Sequence, residues 1–153
     1  MTDSFTLKGR KVVGGVFEGE ALVTRDRISG WGGIDPRSGT VIETRHELKG
    51  ISFAGKVLVF PGAKGSSGWS SQFHIARLAG AAPGAMLFNE MTAKMALGAV
   101  VVHAPALTEF DDDPLWRIRT GDWVRVDADA GTVEVTPRQV HAQRTTQGAS
   151  AEP

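Results

Sequence analysis

The sequence predicts an α/β domain in which a strand-rich barrel or sandwich packs against flanking helices. The first sixty residues are dominated by short runs of β-type residues separated by glycine-containing turns. After Phe60 the apolar residues fall at helical spacing instead. From residue 56 to residue 103 the pattern reads strand, helix, strand, helix, strand, for which we expect parallel strands joined by right-handed crossovers.

Four strands are predicted in the first half, at residues 11–13, 21–24, 40–43 and 56–60. Residues 29–39 contain too many glycines and turn-forming residues for a regular element, so we expect a structured loop there. Two interpretations of Trp31 and Asp35 in this loop stay open. In the first, the two residues line a pocket or a subunit interface. In the second, a buried Trp31 and an Asx-Pro turn at Asp35 hold the loop in place.

The second half alternates predicted helices and strands. Trp69, Phe73 and Ala76 are spaced as one face of a helix, which we place from about Ser67 to Leu78. Three aspartates before Pro114 indicate a solvated turn rather than a cation site. The other predicted elements are a buried strand at 85–88, a short helix at 92–97, and strands at 99–103, 122–127 and 132–135.

The length and composition bound the class of protein. A chain of 153 residues is long enough for one domain with a substantial core, which we expect over residues 1–137. The residues beyond Pro137 lack a sustained apolar pattern, so we expect a flexible C-terminal tail over residues 138–153. Lys+Arg and Asp+Glu both total 17, so no basic field favours nucleic acid or an anionic membrane as a partner.

The chain has no cysteine, so any iron–sulfur cluster must be held by another chain. Its four histidines are widely spaced, and none forms a pair with zinc-motif spacing. The sequence shows neither a signal peptide nor an apolar run of the roughly 18 residues that a membrane span needs. We therefore expect a cytoplasmic protein that binds no cofactor by itself.

Residues 59–70 run from the end of a strand through a glycine-rich loop into the predicted helix. Glycines allow a tight turn, and the unpaired N–H groups in the first turn of a helix favour an anion there. Lys64 adds a positive charge, so the hydroxyls of Ser66 and Ser67 lie where a carboxylate, phosphate or developing alkoxide would be stabilised. The alternative is that one serine caps the helix and Lys64 is solvated. A nucleotide-type phosphate loop is disfavoured, because its lysine follows the second glycine whereas Lys64 precedes Gly65.

The segment PGAKGSSGWS at residues 61–70 resembles the corresponding segment in the small subunit of aconitase X. The similarity extends over about residues 8–136 and implies a swivelling β/β/α domain. Several separated blocks match in the order that the family has, and together they identify the family far more specifically than the serine segment alone. The other matching blocks are GEALV at 19–23, WGGIDP at 31–36, LKG at 48–50, GKVLV at 55–59, APGAMLF at 82–88 and LGAVV at 97–101.

The resemblance implies that Ser66 is the proton acceptor of a dehydration. A neutral serine is a poor base, so its alkoxide must be stabilised by loop N–H groups, by the helix N-terminus or by a cation, for which Lys64 is the local candidate. We predict that the substrate contacts Lys64, Gly65, Ser67 and Ser70. The chain departs from the family pattern at Trp69, because the family commonly has glycine directly before the serine that Ser70 matches.

The resemblance also implies a hydro-lyase subunit that is active only with an aconitase X large subunit. That partner carries the iron–sulfur cluster or metal ion that polarises the leaving hydroxyl. The family includes a cis-3-hydroxy-L-proline dehydratase of bacteria and a mevalonate-phosphate dehydratase of archaea. We favour cis-3-hydroxy-L-proline, since the archaeal activity depends on a specialised mevalonate pathway, and keep mevalonate 5-phosphate as the alternative small hydroxy-acid substrate.

Several other residues are secondary candidates. Asn89, Glu90 and Thr92 follow a predicted strand, at the end where open α/β sheets bind ligands, although Asn89 or Thr92 is also suited to capping a helix. The segment around His74 faintly resembles a phosphotransfer domain, which leaves a phosphohistidine carrier as a competing hypothesis. A third hypothesis is a noncatalytic regulatory subunit with the same fold.

Overall fold

The computed structural model describes residues 3–65 and 68–138, and eight of its strands form one sheet. The sheet order is β1-β12-β11-β3-β7-β9-β10-β2, while β4 pairs with β8 and β5 with β6. The elements in chain order are β1 (Phe5–Lys8), β2 (Arg10–Val13), β3 (Val16–Val23), β4 (Ile28–Ser29), β5 (Ile34–Asp35), β6 (Thr40–Val41), β7 (Val57–Phe60), β8 (Ala63–Lys64), α1 (Trp69–Leu78), β9 (Ala85–Phe88), α2 (Ala93–Val102), β10 (Ala106–Thr108), α3 (Pro114–Arg117), β11 (Trp123–Asp127) and β12 (Thr132–Thr136).

The middle of the sheet is parallel and buried on both faces. Strands β3, β7, β9 and β10 run in the same direction, and every side chain of β7, β9 and β10 is buried. Such strands need apolar residues at every position, which is why they read as continuous apolar runs in the sequence. One face, which includes Phe60 and Phe88, packs under α1 and α2; the other, which includes Val59 and Leu87, packs against β11 and β12.

The sheet must curl until its two ends meet. Strands β1 and β2 lie at opposite ends of the sheet order, yet only Gly9 separates them in the chain. One residue advances the backbone by about 3.8 Å, so the two edges are adjacent in space. The backbone N–H of Gly9 also donates to the carbonyl of Gly131 at 2.9 Å, which ties this corner to the turn between β11 and β12. The predicted α/β domain, with a strand-rich barrel or sandwich and flanking helices, is confirmed.

The positions of the predicted helices need two corrections. Helix α1 begins at Trp69 with Gly68 as N-cap, rather than at Ser67. The segment predicted as a short helix and then a strand at 99–103 is one helix, α2, which ends where His103 adopts the left-handed conformation at φ 58°. The third parallel strand is instead β10.

The remaining predicted strands are present, but β3 begins at Val16, five residues before its predicted start, and the short strand β5 lies inside residues 29–39, where no regular element was expected. Strands β2, β3, β7, β9, β11 and β12 lie where strands were expected, and β6 covers the first two residues of the third predicted strand. Of the predicted tail at 138–153, all but Arg138 lies outside the described residues. Within the ranges that the structure describes, no helix has the length and apolar character of a membrane span.

Candidate active site at the serine loop

Three chain segments meet at the carboxyl end of the parallel strands. The residues after β3, β7 and β9 are joined by backbone hydrogen bonds: Ile28 donates to the carbonyl of Gly62 at 3.2 Å, and Glu90 donates to that of Pro61 at 2.8 Å. This edge is where open α/β sheets bind their ligands. We call residues 61–68 the serine loop. Ser66 and Ser67 lie outside the described residues, whereas the loop residues on both sides of them are described.

The start of the serine loop has a backbone that requires glycine. Strand β8 pairs in parallel with β4, with Lys64 opposite Ser29. Gly65, which is exposed and directly precedes Ser66, has a φ of +98°, in the region that side chains rarely adopt. The glycine-dependent turn that the sequence predicted before Ser66 is therefore present.

The exit of the serine loop is fixed by Trp69. Its side chain is 1% exposed, its Nε1 donates to the carbonyl of Ile28 at 2.7 Å, and its ring stacks on Phe73 at 4.1 Å between centroids. A Cβ on Gly98 of α2 would lie 2.0 Å from Cζ3 of Trp69. The residue that departs from the family pattern is thus a core residue that anchors the start of α1.

Trp31 covers the exit of the serine loop from outside. Its side chain is 67% exposed, so the interpretation as a buried tryptophan is wrong. A Cβ on Gly68 would lie 2.1 Å from both Cδ1 and Nε1 of Trp31, so the indole lies directly against the N-cap of α1. Asp35 does form the predicted Asx turn, accepting from the N–H of Arg37 at 3.0 Å.

Lys64 is held by a carboxylate that the sequence did not single out. Its Nζ donates to Oε2 of Glu43 at 2.7 Å. This hydrogen bond is the main reason that the pKa of Glu43 is below its usual value. Lys64 is therefore half of an ion pair within the serine loop, and its positive charge is largely neutralised.

A second lysine reaches the loop from α2. Nζ of Lys94 donates to the carbonyl oxygen of Gly65. Lys94 lies in the first turn of α2, and its side chain is half-buried. Sequence reasoning missed this residue, because 29 positions separate it from Gly65 and no local motif marks it.

An open cleft of about 600 Å³ lies beside the serine loop. Glu90 closes one side, where its two oxygens accept from Nε and Nη2 of Arg27 at 2.7 and 2.6 Å, which lowers the pKa of Glu90. His46 is buried beneath the cleft; its Nδ1 accepts from the N–H of Leu48, so its Nε2 carries the proton donated to the carbonyl of Arg27. The lining residues are Arg25, Asp26, Arg27, Glu43, Arg45, His46, Pro61, Lys64 and Glu90.

The cleft carries excess positive charge. Its lining contains four cationic side chains and three carboxylates. Arg27 and Lys64 are paired with carboxylates, while the guanidinium of Arg25 lies 3.7 Å from the ring centre of Trp116. Arg45 is exposed and has no carboxylate partner among the described residues. An anionic group is the ligand that such a cleft favours.

The secondary candidates have different positions. Thr92 caps α2 by accepting from the N–H of Met95 at 3.1 Å, as its alternative interpretation predicted. Asn89 does not cap a helix and instead donates to Asp113 at 3.0 Å. Ser70 is half-buried in the first turn of α1, and His74 is exposed farther along the same helix.

A metal centre is not formed by this chain's described residues. No group of three or more His, Asp or Glu side chains in residues 3–65 and 68–138 is arranged to hold a metal ion, and the whole sequence lacks cysteine. The residues present therefore do not fit an iron–sulfur cluster, whose irons are held by thiolates.

Comparisons with known proteins agree with one another. The family model described as aconitase X swivel domain matches residues 6–135. The phosphomevalonate dehydratase small subunit of Thermococcus kodakarensis is 41% identical over 129 residues, covering 84% of this chain and 95% of that protein. The protein of the same name from Methanocella arvoryzae is 40% identical over 130 residues, covering 85% and 98%. The crystal structure of holo aconitase X from Thermococcus kodakaraensis superposes with a TM-score of 0.80 at 40% identity, covering 86% of this chain and 98% of that one.

Proposed function

The chain belongs to the aconitase X swivel domain family, as the small subunit of an aconitase X-type dehydratase, and on this premise we propose that it takes part in removing water from mevalonate 5-phosphate. The choice of substrate is supported by the name that is shared by relatives about 40% identical over nearly their whole length. The preference for cis-3-hydroxy-L-proline has no support in these names, so the alternative replaces it.

The charge of the cleft suits this substrate class. Mevalonate 5-phosphate carries a carboxylate and a phosphate, and each needs cationic or N–H partners when it leaves water. Arg25 and Arg45 have no carboxylate partner among the described residues and line the cleft next to the serine loop.

Ser66 is the proton acceptor in the proposed reaction. A proton leaves the carbon next to the substrate carboxylate for the serine oxygen, the C–H electrons form the double bond, and hydroxide departs from the adjacent carbon. The assignment of Ser66 rests on its match to the family's serine segment, and the described ends of its loop support it. Gly65 supplies the turn in the first part of the loop, and α1 begins directly after the loop, so the positive end of the helix lies at the exit of the loop.

The partner is an aconitase X large subunit, and we place the iron–sulfur cluster or metal ion of the reaction on that partner. The absence of cysteine from this chain supports the division. In this division of the reaction between two subunits, the small subunit supplies the proton acceptor and the cations that bind the substrate. A cytoplasmic location and a heterodimer are parts of the same proposal.

The test is dehydration by the chain co-expressed with the aconitase X large subunit of its own organism. We expect turnover of mevalonate 5-phosphate with a kcat/KM at least about 100-fold above that for unphosphorylated mevalonate, because the unphosphorylated compound loses the charge-assisted contacts of the phosphate with the cations of the cleft. Turnover of cis-3-hydroxy-L-proline instead would restore that substrate. No turnover of either compound by a stable complex would favour a noncatalytic subunit.

A further inference from the structure

Two arginines that line the cleft come from the same short segment and are held in different ways. Both oxygens of Glu90 accept from Arg27, which uses donors of that guanidinium and neutralises its charge. The guanidinium of Arg25 lies instead over the ring of Trp116, with Cζ 3.7 Å from the ring centre. No carboxylate among the described residues forms an ion pair with Arg25. Arg25 therefore keeps its positive charge.

Stacking on an aromatic ring leaves the hydrogen-bond donors of Arg25 free. A separation of 3.7 Å is that of a guanidinium lying on the face of the ring, where the positive charge is attracted by the π electrons. The N–H groups of a guanidinium point outward in its own plane, so a contact through its face uses none of them. They match the oxygens of a phosphate or a carboxylate. Trp116 thus holds Arg25 without competing with an anionic ligand.

The main chain at Arg25 is held by a neighbouring segment. Its backbone N–H donates to Oε1 of Glu47 at 2.5 Å, and the hydroxyl of Thr24 donates to the same oxygen at 2.5 Å. In return, the N–H of Glu47 donates to Oδ2 of Asp26 at 3.0 Å. These reciprocal hydrogen bonds join the residues after β3 to the segment that carries Arg45, which also lines the cleft.

Helix α3 places Trp116 beside the cleft. Oδ1 of Asp113 caps this helix by accepting from the N–H of Leu115 at 3.0 Å, and it also accepts from the side chain of Asn89 at 3.0 Å. Asn89 follows β9, so α3 is tied to the carboxyl end of the parallel strands. The side chain of Trp116 is 67% exposed and is therefore not part of the core. Its contact with Arg25 lies at the surface, where a ligand can reach the guanidinium.

The cations left unpaired in the cleft suit a phosphate group. Arg25 and Arg45 lack a carboxylate partner among the described residues, whereas Arg27 and Lys64 are paired. Asp26, the third carboxylate of the lining, accepts from a backbone N–H and forms no ion pair with either free arginine. A phosphate monoester carries about −1.5 to −2 charges on its terminal oxygens, so it can accept from both arginines, whereas a carboxylate carries a single charge.

We infer that Arg25 binds the phosphate group of the substrate and that Trp116 is a positioning residue that holds Arg25 for this contact. The inference rests on the proposed function, in which the substrate is mevalonate 5-phosphate. A long side chain loses rotamer freedom when it binds a ligand, and stacking on the ring has already restricted that freedom in Arg25. The side chain of Arg45 has no such contact with the described residues and is the second, less ordered cation of the site.

The experiment compares kcat and KM for mevalonate 5-phosphate and for unphosphorylated mevalonate, with each variant in complex with saturating large subunit. We expect Arg25→Met to raise the KM for mevalonate 5-phosphate about tenfold or more with little change in kcat, and to leave kcat/KM for mevalonate within about twofold of wild type. Arg25→Lys should recover only part of the loss, because an ammonium group lacks the planar fork of donors.

Arg125→Met is the matched control for the loss of an exposed arginine. Arg125 is exposed on β11, lies opposite Glu18 of β3 and does not line the cleft. Like Arg25, it forms no ion pair with the described residues. Its replacement removes the same charge from the chain and should change neither KM nor kcat for either compound.

The role of Trp116 is tested with a second pair of variants. Trp116→Leu removes the aromatic face and should raise the KM for mevalonate 5-phosphate about two- to fivefold, because the attraction between an exposed guanidinium and a ring is modest. Trp116→Phe keeps a ring and should raise KM less than Trp116→Leu does. The affinity of each variant for the large subunit is measured in parallel by calorimetric titration. A Trp116→Leu subunit with weakened association but a wild-type KM at saturation would mean that Trp116 contacts the partner instead of positioning Arg25.

Two results for Arg25→Met would overturn the inference. One is a wild-type KM for mevalonate 5-phosphate. The other is an equal loss of kcat/KM for both compounds, which would assign Arg25 to the carboxylate that they share. If the wild-type complex does not turn over mevalonate 5-phosphate, the proposed function fails, and calorimetric titration of the complex with inorganic phosphate decides on Arg25. A dissociation constant at least about fivefold larger in Arg25→Met supports the phosphate site, and an equal one removes it.

Discussion

Glu43 and Lys64 show how a single distant residue changes the role of a predicted one. The sequence assigned Lys64 to the serine loop as its local cation, but the structure pairs it with Glu43, 21 residues earlier in the chain. The pair is partly buried, with the two side chains 45% and 27% exposed. Its contribution to stability falls in the range of exposed ion pairs, about 0–1 kcal/mol.

Glu43→Gln should lower stability in a way that depends on pH. Lys64 holds the pKa of Glu43 below its value in the unfolded chain, so the stabilisation is present above the unfolded pKa, about 4.3, and is lost as the pH falls through the lower folded value. We expect the variant to be less stable than wild type by about 0.5–1 kcal/mol at pH 7. Urea unfolding at pH 7 and at pH 3 should show the difference shrinking toward acid.

Glu20→Gln is the control for this measurement. Glu20 meets Lys56 at 3.3 Å, and its side chain is 52% exposed, so its loss should matter less at either pH. A difference for Glu43→Gln that is constant between pH 7 and pH 3, or that grows toward acid, would contradict the effect of the ion pair.

The candidate site was predictable from sequence only where its chemistry is local. The glycine before Ser66 and the start of a helix after the loop follow from neighbouring residues, and both are present. Lys94 and Glu43 reach the loop only through tertiary packing, from elements whose arrangement the pattern of residues does not contain. No spacing rule links either of them to Ser66.

At the scale of elements, α2 shows how packing overrides local preference. The run Val100-Val101-Val102 favours a strand, because β-branched residues fit a pleated surface. The buried residues of the helix are Met95, Gly98, Ala99 and Val102, a spacing of three and four that matches one helix face. That spacing is present in the sequence, but the three consecutive valines favoured the interpretation as a strand.

Gly98→Ala should destabilise the protein even though alanine is the better helix former. The helical preference for alanine over glycine is worth about 1 kcal/mol. The added Cβ would lie 2.0 Å from a ring carbon of Trp69, and overpacking of a rigid core costs about 1–3 kcal/mol. Because stacking and a hydrogen bond hold that ring, we expect a net loss of up to about 2 kcal/mol in the free energy of unfolding, measured by urea denaturation.

The double variant with Trp69→Phe is the control for steric contact. The smaller ring makes room for the Cβ, so the double variant should be more stable than the sum of the two single losses predicts. Additive losses, or a Gly98→Ala protein more stable than wild type, would show that the helices do not approach as closely as the structure has them.

At the scale of the whole molecule, the sequence predicted the elements better than their order. Apolar runs identified β7 and β9 as strands, and β9 as a buried one, and the structure buries every side chain of both. The sheet order was not accessible, because consecutive strands usually lie side by side, whereas β2 pairs with β10 and β3 with β11, from the other half of the chain. Closure at Gly9 is a property of the whole chain and leaves no local signal.

At the same scale, the position of the site accords with the proposed division of the reaction between two subunits. The serine loop, the cleft and the unpaired arginines all lie at one end of the parallel strands, and no metal site is formed by the residues described. In the proposed division the small subunit brings the proton acceptor and the substrate-binding cations to a large subunit that holds the metal centre. Activity is then a property of the complex.

The most direct measurement is the kcat of Ser66→Ala with saturating large subunit and mevalonate 5-phosphate. Ser67→Ala, which changes the neighbouring hydroxyl in the same loop, is the matched control. We predict that Ser66→Ala keeps subunit association but loses most of kcat, because its hydroxyl is used in the transition state, while Ser67→Ala retains the larger share of activity. A Ser66→Ala complex that turns over like wild type would contradict the assignment of Ser66.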